Sequence, residues 1–434
     1  MQQNRFNLLE GVKTRETFAR LYGGHEQTLE YQILRYEKLI RAYKGFFPED
    51  KGDIQLFSTS GRTEIGGNHT DHNAGCVLAA SVQFDTIAAV TATDDNQIII
   101  YSEGCPDVFI LNLSRLEPVP HERGTTTALI RGTAARFREL GHTIGGFHAC
   151  ISSSVAKGSG LSSSASIEVL LATIINALYN NNELEPLLLA KIGQYAENIY
   201  FGKPCGLMDQ LTCAVGGFVA IDFRDSEKAE YRKVNFNPAA HGYSILVVDT
   251  GGSHESLIQD YADVHLEMKS IAQILGKEVL RELSLEDIFE NINILREKTG
   301  DRAILRAMHF FMENQRVADQ ARALEENRFA DFLQLVRESG SSSWRLLQNC
   351  WSASNPKEQG IALALALTEN FLKKVKDGAC RVHGGGFAGT IQVYLPDEYL
   401  EEYSGIMESV FGRNAVTVLN IRPQGTLHLN NLLG

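Results

Sequence analysis

The seven cysteines of the chain, at 76, 105, 150, 205, 213, 350 and 380, include no CxxC pair. An odd number without paired spacing excludes a disulfide framework and a cysteine-built zinc site. No apolar run comes near the about 18 residues needed to span a bilayer. There is no fixed-period repeat, no low-complexity tract and no proline-rich linker; the ten prolines are scattered. Repeat arrays and tethered modules are therefore excluded. Positive charge is in deficit: Lys plus Arg is 41 against 53 Asp plus Glu, a net charge of −12. Such a chain is ill suited to neutralising nucleic-acid phosphates or to an anionic membrane surface. A small anion held by backbone N–H groups is still allowed. The opening stretch MQQNRFNLLEGVKTRETF lacks the basic-then-apolar pattern of a secretory signal. A cytoplasmic, reducing setting is expected, with neither nucleic acid nor membrane as partner, and a monomer is the simpler state.

What is present is an ordinary globular composition, 44% hydrophobic and 22% charged. A length of 434 residues implies two domains, or one large domain with insertions. Residues 1–50 read as helical. Residues 53–113 carry β-branched runs broken by Gly, Asn and Asp, which predicts antiparallel strands joined by turns, one of them at Asp94, Asp95 and Asn96. Helices follow over 122–141, 164–179 and 184–200, with a strand at FHACISSSV. Short strands occupy 213–250, and 254–345 is mostly helical. A helix over 357–376, a strand–loop–strand at RVHGGGFAGTIQVYL, and a last helix and strand complete an α+β reading. The composition shifts near 225–240, which places domains at 1–225 and 226–434, with mixed sheets flanked by helices and a shared interface.

Three glycine-containing loops carry the chemistry. KGSGLSSSASIEVL, residues 157–170, follows a strand and runs into a helix. Its glycines let the backbone approach a ligand, and Ser162, Ser163 and Ser164 are good N-cap types. Free N–H groups and the helix dipole there favour a di- or triphosphate. The loop lacks the Lys of a Walker A motif and the third Gly of a dinucleotide fingerprint. Glu197 with a serine hydroxyl has the oxygens that Mg²⁺ takes when it bridges phosphates. Asp209, twelve residues on and beside Gly206, is placed to orient or deprotonate a hydroxyl nucleophile. In GRTEIGGNHTDHNAG, residues 61–75, Arg62, Asn68, His69, Asp71 and His72 crowd a loop between strands, as a polyol site requires. The HxxH pair within it is a weak metal signal. His241, His254 and His383 look scattered. HGGGFAGT, residues 383–390, is the third loop. Each loop alone is also what an ordinary turn looks like.

Taken in order, the loops resemble those of the GHMP family of small-molecule kinases, and within it the galactokinases. The first is similar to G-R-x-N-[LI]-I-G-E-H-T-D-Y-N through Gly61, Arg62, Gly67, His69, Thr70, Asp71 and Asn73. The second resembles P-x-G-x-G-L-S-S-S-A, with Ala156 for the opening Pro. The third is similar to GGGFGG, with Ala388 in its fifth position. AENIYFGKPCGLMDQ, residues 196–210, resembles AENxxxGxPCGxMDQ. Together the matches span roughly residues 30–420.

The resemblance implies a two-domain GHMP-kinase-like fold with the active site in the cleft between domains. It implies ATP-dependent phosphorylation, with Mg²⁺, of a hexose at its anomeric hydroxyl, galactose first. Asp209 would handle the sugar hydroxyl, and Arg62 would stabilise Asp209 and the moving phosphoryl group. Gly158, Ser159, Gly160, Leu161, Ser162, Ser163 and Ser164 would cradle phosphates, and Ser164 with Glu197 would hold Mg²⁺. Asn68, His69, Asp71, Gly206 and Tyr261 would line the sugar. Tyr261 is carried over because it stands seven residues after His254, as in H-S-L-x-x-x-x-Y. The departures gather in the sugar loop. Glu64 replaces the family's Asn, Gly66 its Ile, His72 its Tyr, and Asn68 replaces the Glu that accepts from the C6 hydroxyl. Three alternatives follow: the same chemistry on a C6-altered sugar such as galacturonate, a sugar- and ATP-binding sensor without catalysis, or a GHMP-like scaffold whose loops are packing turns.

Overall fold

The computed structural model describes residues 9, 11–156, 160–225, 228–252 and 257–433. Gly158 and Ser159 of the second loop, and His254, lie outside the described residues. Two helices come first, α1 (Val12–Tyr22) and α2 (Glu26–Phe46). Strands β1 (Gln55–Gly66), β2 (Cys76–Ala92), β3 (Gln97–Ser102) and β4 (Val108–Asn112) follow. Then come α3 (Thr126–Glu139), β5 (Phe147–Ser153), α4 (Ser163–Tyr179), α5 (Pro186–Tyr195) and α6 (Met208–Val215). Strands β6 (Phe218–Asp222) and β7 (Glu230–Val234) add to the first sheet, and β8 (Tyr243–Asp249) opens the second.

The helical stretch expected over 254–345 resolves into α7 (Ile258–Ile274), α8 (Leu285–Glu290), α9 (Ile292–Thr299), α10 (Asp301–Glu325) and α11 (Phe329–Ser342). Next are α12 (Gly360–Val375), β9 (Ala379–His383), β10 (Thr390–Pro396), α13 (Leu400–Phe411), β11 (Val416–Leu419) and the two-residue β12 (Leu427–His428).

The first sheet has the order β12-β1-β2-β5-β3-β4, with β6 and β7 joined to β2; the second is β11-β8-β10-β9. The turn after β2 does not make a hairpin. β5 lies between β2 and β3 and runs parallel to β3. A strand drawn from 50 residues further on fills the centre because it is apolar on both faces, as an inner strand must be. Strand alternation then divides the layers. Phe57, Ala88, Val90, Ala149 and Ile151 face the core beneath α3, α4 and α5. Leu56, Ile87, Ala89 and Cys150 face α1 and α2.

β6 and β7 pair with each other, so the first sheet runs past residue 225. The sheets change between Val234 and Tyr243, and β12 returns to pair with β1. Composition misses this because β7, EYRKV, is a half-exposed edge strand whose polarity looks like a linker. A common core joins the halves: Ile65, Leu78 and Val82 pack with Ile245, Val247, Val317, Phe332 and Val336. Among the described residues no helix is long and apolar enough to cross a membrane, and all seven cysteines are free.

Candidate active site

β1 sets the first element of the site. Its register against β2 shifts between Ser60 and Arg62 and again between Glu64 and Gly66. Such bulges re-aim side chains. A Cβ on Gly61 would stand 2.8 Å from the Leu161 carbonyl oxygen, so glycine at 61 lets the strand come this close to the second loop. Arg62 N–H donates to that same oxygen at 3.0 Å.

The Arg62 side chain then meets Asp209 in a two-point ion pair. Nε donates to Oδ1 and Nη2 to Oδ2, each at 2.6 Å, while Nη1 donates to the Gly160 carbonyl. Ser162 Oγ donates to Asp209 Oδ2 at 2.6 Å. Asp209 sits in the first turn of α6, where the helix dipole favours an anion. Burial would raise its carboxyl pKa, but the Arg62 charge and the donated hydrogen bonds hold it below the usual range. The side chain keeps 29% exposure, so it can still accept from a ligand hydroxyl.

Ser162 corrects the capping expectation. It precedes α4 with φ 60°, ψ 68°, and its side chain caps nothing; the hydroxyl is turned onto Asp209. A left-handed non-glycine at that point is strained, and such strain is tolerated where a site needs it. The first-turn N–H groups of α4 are thereby left uncapped by any side chain, as an anion site requires. Gly160 has φ +75°, and a Cβ there would lie 3.0 Å from His383. Its need for glycine is thus explained by the backbone and by His383. His383 itself is not scattered. It is buried between Thr63 and Thr390, 2.9 Å from each hydroxyl, and burial followed by the charges of Arg62 and Arg381 pulls its pKa down to about 3.

Beside this pair lies Glu197, in a π-helical turn over Ala196–Phe201 that continues α5. Its Oε1 accepts from Ser164 Oγ at 3.2 Å and Lys203 Nζ at 3.1 Å, and its Oε2 from Gln210 Nε2 at 2.9 Å. Two oxygens from different elements therefore converge at the head of α4. Gln210 stands in the matched segment 196–210 without a role assigned to it, and Lys203 and the buried Glu168 carry no sequence signal of their own. Only the helical spacing of Ser164 and Glu168, one turn apart, could have pointed to Glu168.

Asp71 and Gly206 meet directly, since a Cβ on Gly206 would fall 2.1 Å from Asp71 Oδ2. Burial, then the charge of Asp209, raises the Asp71 carboxyl pKa to about 6. His69, held at φ 57°, bonds through Nε2 to the Gly385 carbonyl at 2.8 Å, and burial lowers its pKa to about 4. Tyr261 O–H donates to the Gly386 carbonyl at 2.8 Å, and its ring stacks 6.5 Å from His69. The first and third loops and α7 are so tied into one wall.

Asn68 is placed differently from the expectation that it reads a ligand hydroxyl. It is fully buried. Nδ2 donates to Glu64 Oε1 at 3.0 Å and to the Gly384 carbonyl at 2.5 Å, while Oδ1 accepts from Asn349 Nδ2 at 2.7 Å. Glu64 is paired with the buried Arg381 at 2.7 Å. The two departures from the family pattern therefore form a single contact in which amide and carboxylate have changed places. Asn68→Glu would set a second carboxylate against Glu64 and leave the Gly384 carbonyl without its donor. A buried group orphaned in this way costs about 1–3 kcal/mol. Urea denaturation should show that loss, and Glu64→Asn in the same chain should recover part of it, as residues in contact couple.

The comparisons with known proteins agree on one family. A family model described as "GHMP kinases N terminal domain" matches residues 128–217, and one described as "Galactokinase galactose-binding signature" matches residues 41–92. A galactokinase of Clostridium tetani is 32% identical over 295 residues, 67% of this chain and 73% of the relative. One of Streptomyces coelicolor is 30% identical over 359 residues, 82% and 88% respectively. Among solved structures, a Lactococcus lactis galactokinase complexed with galactose has a TM-score of 0.76 at 23% identity, covering 90% of this chain and 100% of that one. A Methanococcus jannaschii mevalonate kinase has a TM-score of 0.59 at 17% identity, covering 86% and 99%.

Proposed function

Since the chain belongs to the GHMP kinase family, among its galactokinases, we infer that it transfers the γ-phosphoryl group of ATP to the anomeric hydroxyl of galactose. The observation that carries this reading is the Asp209 carboxylate, clamped by Arg62 and Ser162 at the edge of the phosphate-loop helix.

A hydroxyl bound against Asp209 donates to its exposed carboxylate edge. A carboxyl held below its usual range keeps little of a proton, so Asp209 acts chiefly by aligning the oxygen and offsetting charge as the O–H bond weakens. Arg62 fixes that carboxylate and places a cation beside the phosphoryl path, where phosphoryl transfer gains most from charge placed in advance. The described part of the second loop, 160–164, and the head of α4 receive the phosphates on backbone N–H groups. Glu197 Oε1 and Ser164 Oγ fit a hard cation: both are oxygens, they converge from two elements, and Mg²⁺ takes few protein ligands. A metal held there would supply positive charge against the phosphates. His69, Asp71, Gly206 and Tyr261 form the wall that takes the sugar hydroxyls. Asn68 supports that wall from behind.

ATP turnover measured against a panel containing galactose, galacturonate, glucose and mannose tests the reading. Turnover with galactose far above the others is expected; ATP hydrolysis indifferent to the sugar would overturn it.

The wall also predicts a pH dependence. Asp71 accepts sugar hydroxyls best as carboxylate, and its pKa is raised to about 6. Affinity for galactose should climb from pH 5 to 7 and then level. A raised carboxyl favours the fold below its unfolded pKa of about 3.9, and that benefit is lost as pH rises through about 6. Asp71→Asn should therefore bind sugar weakly at every pH, and relative to wild type it should gain stability from pH 4 to 6. KM profiles and urea midpoints over that range check both.

A further inference from the structure

Glu168 is fully buried on α4, one turn after Ser164. Nothing in the proposed transfer step uses it. An unused buried carboxylate is costly, so its surroundings matter. Gln210, also fully buried, sends its one amide nitrogen to two acids at once: to Glu168 Oε2 at 2.9 Å and to Glu197 Oε2 at 2.9 Å. The other oxygen of Glu168 and the amide oxygen of Gln210 are buried, with no hydrogen-bond partner among the described residues. Gly193 of α5 closes the back of the site, since a Cβ there would touch Glu168 Cβ at 3.1 Å and Gln210 Cγ at 3.4 Å. Glu168 and Gln210 therefore have little room to swing.

Glu197 is held from two sides as a result. Gln210 grips Oε2 from the interior, and Oε1 is left facing Ser164 and Lys203. An amide free to rotate could offer Glu197 either its NH₂ group or its oxygen. With an acceptor oxygen of Glu168 on the same side as Glu197 Oε2, only the NH₂ orientation serves both side chains.

We propose that Glu168 is a positioning residue: acting through Gln210, it fixes the Glu197 carboxylate so that Oε1 and Ser164 Oγ stand ready for a divalent cation. The proposal rests on the reading that Glu197 and Ser164 hold the metal. It assigns Glu168 no contact with metal or substrate. Its part is that of a hydrogen-bond acceptor, which the neutral amide of glutamine can also play.

Three variants test it: Glu168→Leu, Glu168→Gln and Glu197→Gln. The probe is Mn²⁺ in the presence of ADP, with free Mn²⁺ counted by its electron paramagnetic resonance signal, so the readout does not depend on turnover. Outer-shell partners of metal ligands typically contribute about 10- to 100-fold in affinity. Glu168→Leu should weaken Mn²⁺ binding by about tenfold or more. Its thermal midpoint should not fall, because an apolar side chain of similar volume replaces a buried acid that gains little from its surroundings. Glu168→Gln should stay within about threefold of wild type, since it still accepts from Gln210. If Glu168→Gln loses as much as Glu168→Leu, Glu168 acts by charge and the proposal is overturned. If Glu168→Leu binds Mn²⁺ like wild type while Glu197→Gln does not, the positioning role is wrong and the metal reading stands. If Glu197→Gln also binds like wild type, both fall together.

Discussion

Asp209→Asn should lower turnover by about 10²–10⁴-fold, the usual contribution of a positioned acid–base group. The amide keeps the shape of the side chain but not its charge. It also cannot accept from both Arg62 nitrogens, because one of its two ends is now a donor. Arg62 would keep the Gly160 carbonyl and one oxygen of residue 209, and one of its nitrogens would face an amide NH₂ instead of an acceptor. ATP should still bind, since the backbone of the second loop and Glu197 are untouched. Single-turnover kinetics with saturating galactose and calorimetric titration of ATP separate the two effects. A variant within a few fold of wild type in the chemical step would remove Asp209 from the mechanism.

Arg62→Met should cost both stability and rate. Breaking a buried ion pair on one side typically costs about 3–5 kcal/mol. Asp209 keeps some exposure, so the lower end, about 3 kcal/mol, is expected in urea denaturation. The rate should fall by about 10³-fold, the lower bound for losing a phosphoryl-facing arginine. Without the arginine, burial dominates and the Asp209 carboxyl rises above its usual range. Residual turnover should then climb with pH in a range where wild type is flat, because only the ionised form aligns the sugar hydroxyl. Arg62→Met combined with Asp209→Asn should be more stable than Arg62→Met alone, as the uncompensated charge is gone. Arg62→Lys restores a charge but not the two-point grip, so it should recover stability better than rate.

The parts of the site that sequence made legible are those fixed by local spacing. The glycines before a serine-rich helix start lie within one loop, and Glu197 and Asp209 stand on two helical segments joined by the short connection 202–207. Long-range partners were not legible. Nothing local says that Gly160 must be glycine because His383, more than 200 residues away, presses on it. Nor does spacing reveal that the Glu64 and Asn68 departures cancel. Glu64 lies near the end of a bulged strand and Asn68 in the turn after it, and the two meet where Arg381 pairs with Glu64. The same limit explains the fold. Helices and strands followed their periods, but the insertion of β5 between β2 and β3, and the place of β7, depend on which edge is left open.

The return of β12 to β1 has a consequence for synthesis. Thr426 Oγ1 lies 2.7 Å from the hydroxyls of both Thr59 and Thr173, and Arg422 reaches the fully buried Asp85 at 3.0 Å. These contacts bridge more than 330 residues between Asp85 and Arg422. A ribosome delivering the chain from its N-terminus produces nearly everything else of the first sheet long before it produces these residues. Until then Asp85 has Arg35 as its only ion-pair partner among the described residues, and the outer edge of β1 is unpaired. Open edges of this kind invite wrong pairings. The nascent first half should therefore depend on chaperones more than its local contacts suggest. A ribosome-stalled chain ending at residue 400 should be cut by protease within the first sheet, and one extended past residue 433 should resist.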